Sequence, residues 1–156
     1  MDLKQLYQDI ILEHGKSPRN FGKCEKYTHH AKGHNPLCGD QVQVYLKLNK
    51  EKKVENLTFE GSGCAISIAS TSIMTELVKG KTIEVSKKIV TDFLNMIKNT
   101  SEIKSNNLDE DQKTKIMSLS GVKQYPMRVK CATLAWHTLT SAIDGKKEEI
   151  NTENID

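Results

Sequence analysis

The sequence predicts an α+β fold in which a small three-stranded antiparallel sheet packs against several helices. Three observations lead there. Residues 41–48 alternate, with Val42, Val44, Leu46 and Leu48 facing one way and Gln41, Gln43, Tyr45 and Lys47 the other, as in a half-buried strand. A short polar link, Asn49-Lys50-Glu51-Lys52, joins this run to a second alternating run at Leu57 and Phe59, which favours an antiparallel hairpin. Directly after Gly61-Ser62-Gly63-Cys64 the period becomes helical, with Ile66, Ala69, Ile73 and Leu77 on one stripe.

The remaining elements follow in order. Leu3, Leu6, Tyr7 and Ile10 give an amphipathic first helix over 3–14, stopped by Gly15 and Pro18. Residues 17–36 hold Pro18, Gly22, Gly33 and Pro36, with one short, weakly patterned strand near Tyr27–Ala31. After the hairpin, the helix from Ile66 runs to about Lys79 and ends at Gly80. A further helix covers Val85–Ile97, with Ile89, Phe93, Met96 and Ile97 on one face. Residues 98–112 are polar and read as a loop, followed by a short helix near Gln112–Leu119. Gly121 and Pro126 mark a break, and a last helix opens near Cys131, with Ala132, Ala135, Trp136, Leu139 and Ile143 at helical offsets. The reading is one domain over 1–143, with 144–156 a charged tail expected to be disordered because it lacks any apolar pattern.

With 156 residues, 37% hydrophobic and 28% charged, the chain is long enough for one packed core. Its net charge of +3 is spread without a basic stripe, which argues against nucleic acid as a partner. No apolar run approaches the roughly 18–20 residues of a membrane span. The N-terminus, Met1-Asp2-Leu3-Lys4-Gln5, carries acid early and has no apolar core, so no secretory or transit signal is expected and the expected location is cytoplasmic. In that compartment thiols stay reduced, so the four cysteines are not read as a disulfide framework.

Those cysteines are Cys24, Cys38, Cys64 and Cys131, with no Cys-x-x-Cys pair among them. Three fall at the ends of predicted elements. Cys38 lies in the turn Asn35-Pro36-Leu37-Cys38-Gly39-Asp40 before a strand, and Cys64 and Cys131 lie at predicted helix starts, where free N–H groups favour thiolate. Asp40 stands two residues from Cys38 across a glycine, so both can face one ion. Cys38, Asp40, Cys64 and Cys131 together form a donor set suited to tetrahedral Zn²⁺. Carboxylate is the harder of these ligands, which suits a site that exchanges. Arg128 and Lys130 are nearby cations that offset the site's negative charge, although Arg128 reads equally as a surface cation. Each cysteine taken alone also fits a small buried apolar side chain. Cys24, with no partner in view, reads as packed or merely exposed.

Other signals are weaker. Gly61-Ser62-Gly63 lacks the Lys-Ser/Thr of a P-loop. His29 and His30 are adjacent and point opposite ways in a strand, so they read as surface residues, and the sequence assigns no role to them or to His34. His14 and His137 lie on helices with no serine or carboxylate at a spacing that suggests a relay.

Several ordered motifs carry a family resemblance over about residues 3–143. They are Leu6-Tyr7-Gln8-Asp9-Ile10-Ile11-Leu12-Glu13-His14, Pro18-Arg19-Asn20-Phe21-Gly22, Asn35-Pro36-Leu37-Cys38-Gly39-Asp40, Phe59-Glu60-Gly61-Ser62-Gly63-Cys64-Ala65-Ile66-Ser67, and Arg128-Val129-Lys130-Cys131-Ala132 with Trp136. The chain resembles the U-type iron–sulfur assembly proteins, the IscU/NifU N-terminal family, and most closely their SufU branch. Two features choose that branch: Lys130 stands where scaffold members carry a histidine, and residues 98–120 look like the branch's extra segment.

The resemblance implies a zinc-bound sulfurtransferase that takes sulfur from the persulfide of a SufS-type cysteine desulfurase and serves downstream iron–sulfur assembly proteins. It implies Cys38, Asp40, Cys64 and Cys131 as metal ligands. Cys38 is the expected sulfur acceptor, Asp40 the residue that tunes the metal, and Arg128 a cation for the site or the partner. Two alternatives stand beside it: a scaffold that holds a transient [2Fe–2S] cluster, and a module whose zinc is purely structural.

Overall fold

The computed structural model describes residues 2–98 and 106–155. Its helices are α1 (Leu3–Lys16), α2 (Ala65–Val78), α3 (Ile83–Lys98), α4 (Glu110–Met117) and α5 (Pro126–Ile143). Its strands are β1 (His29–Asn35), β2 (Asp40–Leu48), β3 (Val54–Ser62) and β4 (Ile150–Asn151). Short 3₁₀ turns cover Ser118–Gln124 and Thr152–Asn154.

The fold is α+β as expected, but the sheet has four strands in the order β3-β2-β1-β4. β1, β2 and β3 form an antiparallel meander, and β4 adds to β1 in parallel through Gly33–Ile150 and His34–Asn151. β1 also runs later than the sequence suggests, up to Asn35, which pairs with Asp40 across the Pro36–Gly39 turn. A register shift at Lys47/Leu48 pairs Leu48 with Val54 and Lys47 with Asn56. That bulge resolves the odd phase of Val54, which is buried although it breaks the alternation of Leu57 and Phe59.

One face of the sheet carries Val42, Val44, Leu46, Leu57 and Phe59 into a single core with the helices. The link between α2 and α5 is polar at its centre. Ser70 Oγ donates to the Ala132 carbonyl at 2.5 Å and accepts from Trp136 Nε1 at 2.9 Å. Trp136 also stacks on Phe93, ring centres 4.1 Å apart, so its buried N–H is satisfied and its ring is held by α3. This fixes how far α5 slides along α2, and with it the height of Cys131.

Two expectations need correction. α5 begins at Pro126, not near Cys131, with Pro126 at its first position. Proline is preorganised for a helix start, but the exposed first turn, Met127 and Arg128 included, offers no apolar stripe to read. The segment after Asp144, expected to be disordered, instead carries β4 and a 3₁₀ turn and buries Thr152. Its order comes from backbone pairing with β1, which side-chain pattern does not report. Part of the expected loop at 98–112 lies outside the described residues. Of the described part, Lys98 closes α3, residues 106–109 are the expected loop, and α4 starts at Glu110, opened by a capping box in which Asp109 and Gln112 each satisfy the other's backbone N–H.

Candidate metal centre

Three junctions of the fold meet at one point. Cys38 is in the turn between β1 and β2, where Gly39 takes φ +70° and Cys38 N donates to the Asn35 carbonyl at 3.3 Å. Asp40 opens β2 and is fully buried. Cys64 is the N-cap of α2, and Cys131 lies in the second turn of α5, 2% exposed. Cys64 therefore sits at a helix start as predicted. Cys131 does not, and gains nothing from free N–H groups at the helix end.

The donor atoms of Cys38, Asp40 and Cys131 all lie within 4.8 Å of one another. Cys64 stands at the edge of this group, with Sγ 3.9 Å from Asp40 Oδ2. Asp40 is held on both oxygens: Oδ1 accepts the Cys64 N–H at 2.8 Å, and Oδ2 accepts Asn35 Nδ2 at 3.2 Å. The Asn35 amide also donates to Cys131 Sγ at 3.4 Å. Burial pushes the Cys131 thiol far above its ordinary pKa, and hydrogen bonds with Asp40, Cys38 and Cys64 push in the same direction. Metal binding at such a site releases protons, because the ligating form is thiolate.

The donor chemistry and burial fit a metal. Among the described residues Asp40 makes no ion pair with Lys, Arg or His. A buried carboxylate with no cation is costly, and such groups are normally paired or bound to metal. With the thiols of Cys38, Cys64 and Cys131 beside it, this carboxylate completes a donor set that Zn²⁺ accepts.

The other expected residues are elsewhere. Arg128 is exposed, its guanidinium 4.5 Å above the Tyr125 ring, and makes no ion pair among the described residues. Lys130 pairs with Glu153 at 3.2 Å. Cys24 is buried and accepts from Asn56 Nδ2 at 3.6 Å, so it packs. His30 stacks on Tyr45 and bonds to Gln43, His29 meets the Thr28 hydroxyl, and His34 lies 3.2 Å from Glu149. None of the three histidines joins the Cys38–Asp40–Cys131 group. Asn35 is the site residue that the sequence reading missed. Its position just before Pro36, in the same turn motif, was the available signal.

Comparison with known proteins agrees with this geometry. The model of the NifU-like N terminal domain matches residues 6–148. The zinc-dependent sulfurtransferase SufU of Bacillus subtilis is 38% identical over 148 residues, covering 95% of each chain. The iron–sulfur cluster assembly scaffold protein IscU of Streptococcus pyogenes is 33% identical over 98% of this chain and 90% of its own. A crystal structure from Fervidobacterium islandicum, assigned as an iron–sulfur cluster assembly scaffold protein for the SUF system, superposes with a TM-score of 0.76. It is 36% identical and covers 89% of this chain and 97% of its own. The chain belongs to the NifU-like N-terminal domain family, the family of the SufU and IscU iron–sulfur assembly proteins.

Proposed function

We propose that this protein is a zinc-dependent sulfur carrier that accepts persulfide sulfur from a cysteine desulfurase for iron–sulfur cluster assembly. The observation that carries this reading is the contrast within the donor set. Asp40 and Cys131 are buried, and Cys64, partly exposed, is fixed as the N-cap of α2, whereas Cys38 is partly exposed in a glycine-bearing turn outside any helix or strand. The 38% identity to a zinc-dependent sulfurtransferase supports the same reading. Lys130 adds to it: no histidine precedes Cys131, and the lysine is engaged by Glu153.

The transfer is a thiol–persulfide exchange. The Cys38 thiolate attacks the outer sulfur of a donor R–S–SH, a new S–S bond forms, and the donor's S–S bond breaks. The donor leaves as thiolate R–S⁻ and Cys38 becomes Cys38–S–SH, with no net oxidation. Zinc, when bound, would be held by Cys38, Asp40, Cys64 and Cys131 and would supply the charge that keeps these thiols deprotonated at neutral pH. Asp40 is fixed by Asn35 and Cys64 whatever Cys38 does, so the turn opens without dismantling the site. Arg128 on the exposed first turn of α5 meets the partner and does not neutralise the donors. Leu37, Tyr125 and Met127 are exposed apolar side chains that flank the donors in sequence and suit a protein partner.

Cys38→Ala is expected to abolish the mass gain of one sulfur after incubation with desulfurase and cysteine, and to abolish stimulation of desulfurase turnover. A variant that stimulates turnover as the wild type does sinks the assignment. The scaffold reading draws support from the relatives named IscU. It predicts a coloured cluster in anaerobically purified protein that passes to an apo-protein, where the carrier reading predicts stoichiometric zinc.

A further inference from the structure

The buried amide of Asn35 is the hub of the donor set, and its far side is held by the C-terminal segment. An asparagine amide has one accepting oxygen and two donor hydrogens, and which way it faces is decided by its neighbours. Here Asn35 Nδ2 faces Asp40 Oδ2 and Cys131 Sγ. Its Oδ1 accepts the hydroxyl of Thr152 at 2.8 Å, from 117 residues away in sequence. Asn35 is 0% and Thr152 2% exposed, so water cannot substitute for either partner without opening the structure.

Thr152 is delivered to that position by a short strap. β4 pairs Ile150 with Gly33 and Asn151 with His34, immediately before Asn35. Asn151 then caps the 3₁₀ turn by accepting the Glu153 N–H at 2.9 Å. Glu153 ties the turn to α5 through Lys130, the residue beside Cys131, and Glu149 meets His34 at 3.2 Å. The strap thus touches β1, which carries Asn35, through its backbone, and α5, which carries Cys131, through Lys130. Its residues Glu149, Thr152 and Glu153 lie beyond the 6–148 covered by the family model.

We infer that Thr152 is a positioning residue for the metal centre: its hydroxyl locks the Asn35 amide so that both amide hydrogens face the donors, and the strap makes donor geometry depend on the docked C-terminal segment. With Oδ1 occupied, Nδ2 has only the anionic side to serve. With the hydroxyl gone, the amide is free to turn, and a flipped amide sets its oxygen against a carboxylate and a thiolate. Outer-layer partners of this kind typically govern metal affinity by about 10–100-fold. Undocking the strap loosens the site without touching a ligand.

This inference rests on the proposed metal centre, and the test separates the two. Thr152→Val keeps the shape and removes the hydroxyl; Thr152→Ser restores it. Each is measured in the full chain by chelator competition for zinc and by the thiolate-to-metal absorption of the Co²⁺ form. Thr152→Val is expected to weaken zinc binding about tenfold and shift the Co²⁺ bands. Thr152→Ser returns both towards wild type, and the far-ultraviolet circular dichroism of all three proteins is the same. Zinc affinity of Thr152→Val within twofold of wild type overturns the inference and leaves the metal centre standing.

A wild-type protein that shows no thiolate-to-Co²⁺ absorption overturns the metal centre instead. The strap is then judged in metal-free protein by NMR, from hydrogen exchange of the Asn35 side-chain amide. Exchange that is slow in wild type and fast in Thr152→Val supports the lock, and equal exchange in both overturns it.

Discussion

Asp40 owes its buried position to a glycine. Gly63 takes φ +140°, and a Cβ built there would lie 2.2 Å from Asp40 Oδ1 and 2.8 Å from Asp40 Cα. The close approach brings the Cys64 N–H onto the carboxylate, so Gly63 lets β3 and α2 close around a charge. Gly22 has a similar φ of +134° with nothing within 4 Å, which makes it the control for backbone strain alone. Both Gly63→Ala and Gly22→Ala are expected to lose about 1–3 kcal/mol in urea denaturation from the strained backbone. Only Gly63→Ala is expected to lose zinc as well, and equal zinc retention by the two variants would show that the contact does not matter. The thiols and carboxylate that the fold gathers were legible as candidates because such groups declare their chemistry wherever they stand. Asn35, Thr152 and the tight approach at Gly63 were not, because an amide, a hydroxyl and a glycine acquire their roles only from what the fold sets opposite them.

Among the elements, α1 is tied to α2 through a buried histidine. His14 Nδ1 lies 2.7 Å from Ser72 Oγ, which also accepts the Arg19 N–H at 2.8 Å, and His14 Nε2 is 3.5 Å from Glu76. The Glu76 carboxylate can only accept, so the neutral ring that places its proton on Nε2 facing Glu76 leaves Nδ1 to accept the Ser72 hydroxyl. The trio resembles a hydrolytic relay in outline, but Ser72 is fully buried and already bonded, so its role is structural. Burial lowers the His14 pKa below 6.5; Arg19 and Lys115 add to this, while Glu76 and Glu13 oppose it. A histidine depressed in the fold binds fewer protons than in the unfolded chain, so stability falls as pH drops through 6.5 towards the folded value. His137, also lowered by burial and then by Lys98, acts in the same direction. An NMR titration of the His14 ring is expected to show its midpoint below 6.5, and a midpoint at or above that value would remove this pH dependence. Ser72→Ala, which strands both His14 Nδ1 and the Arg19 N–H, is expected to cost about 1–3 kcal/mol. Elements with a long apolar period, α2, α3, β2 and β3, were legible in the sequence to within a few residues. The start of α5 was not, because its first turn is exposed. β4 was not either, because two residues paired through backbone carry no pattern at all.

At the scale of the whole molecule, the donor set is a clasp between parts of the chain that are distant in sequence. Cys38 and Asp40 come from the β1–β2 hairpin, Cys64 from the β3–α2 junction, and Cys131 from the second turn of the last long helix. Without a metal, this point holds a buried carboxylate with no countercharge among the described residues, beside one buried and two partly exposed thiols. Metal bound only by the folded state adds RT ln(1 + [L]/Kd), about 4 kcal/mol when free zinc stands a thousandfold above Kd. A domain of this size moves by roughly 2–4 °C per kcal/mol. Scanning calorimetry of the zinc-loaded protein is therefore expected to give a Tm about 8–16 °C above that of the chelated protein, rising further with zinc concentration. Cys38→Ala makes this measurement discriminating. Asp40, Cys64 and Cys131 are held by their own elements, so a carrier whose Cys38 leaves in use should keep part of the zinc-dependent rise when that thiol is gone. A module whose zinc is purely structural should lose the rise entirely with any one ligand. Retention of a zinc-dependent Tm shift in Cys38→Ala together with loss of sulfur uptake is the expected result. Complete loss of the shift, with desulfurase turnover unaffected by the wild-type protein, would assign the clasp to structure alone.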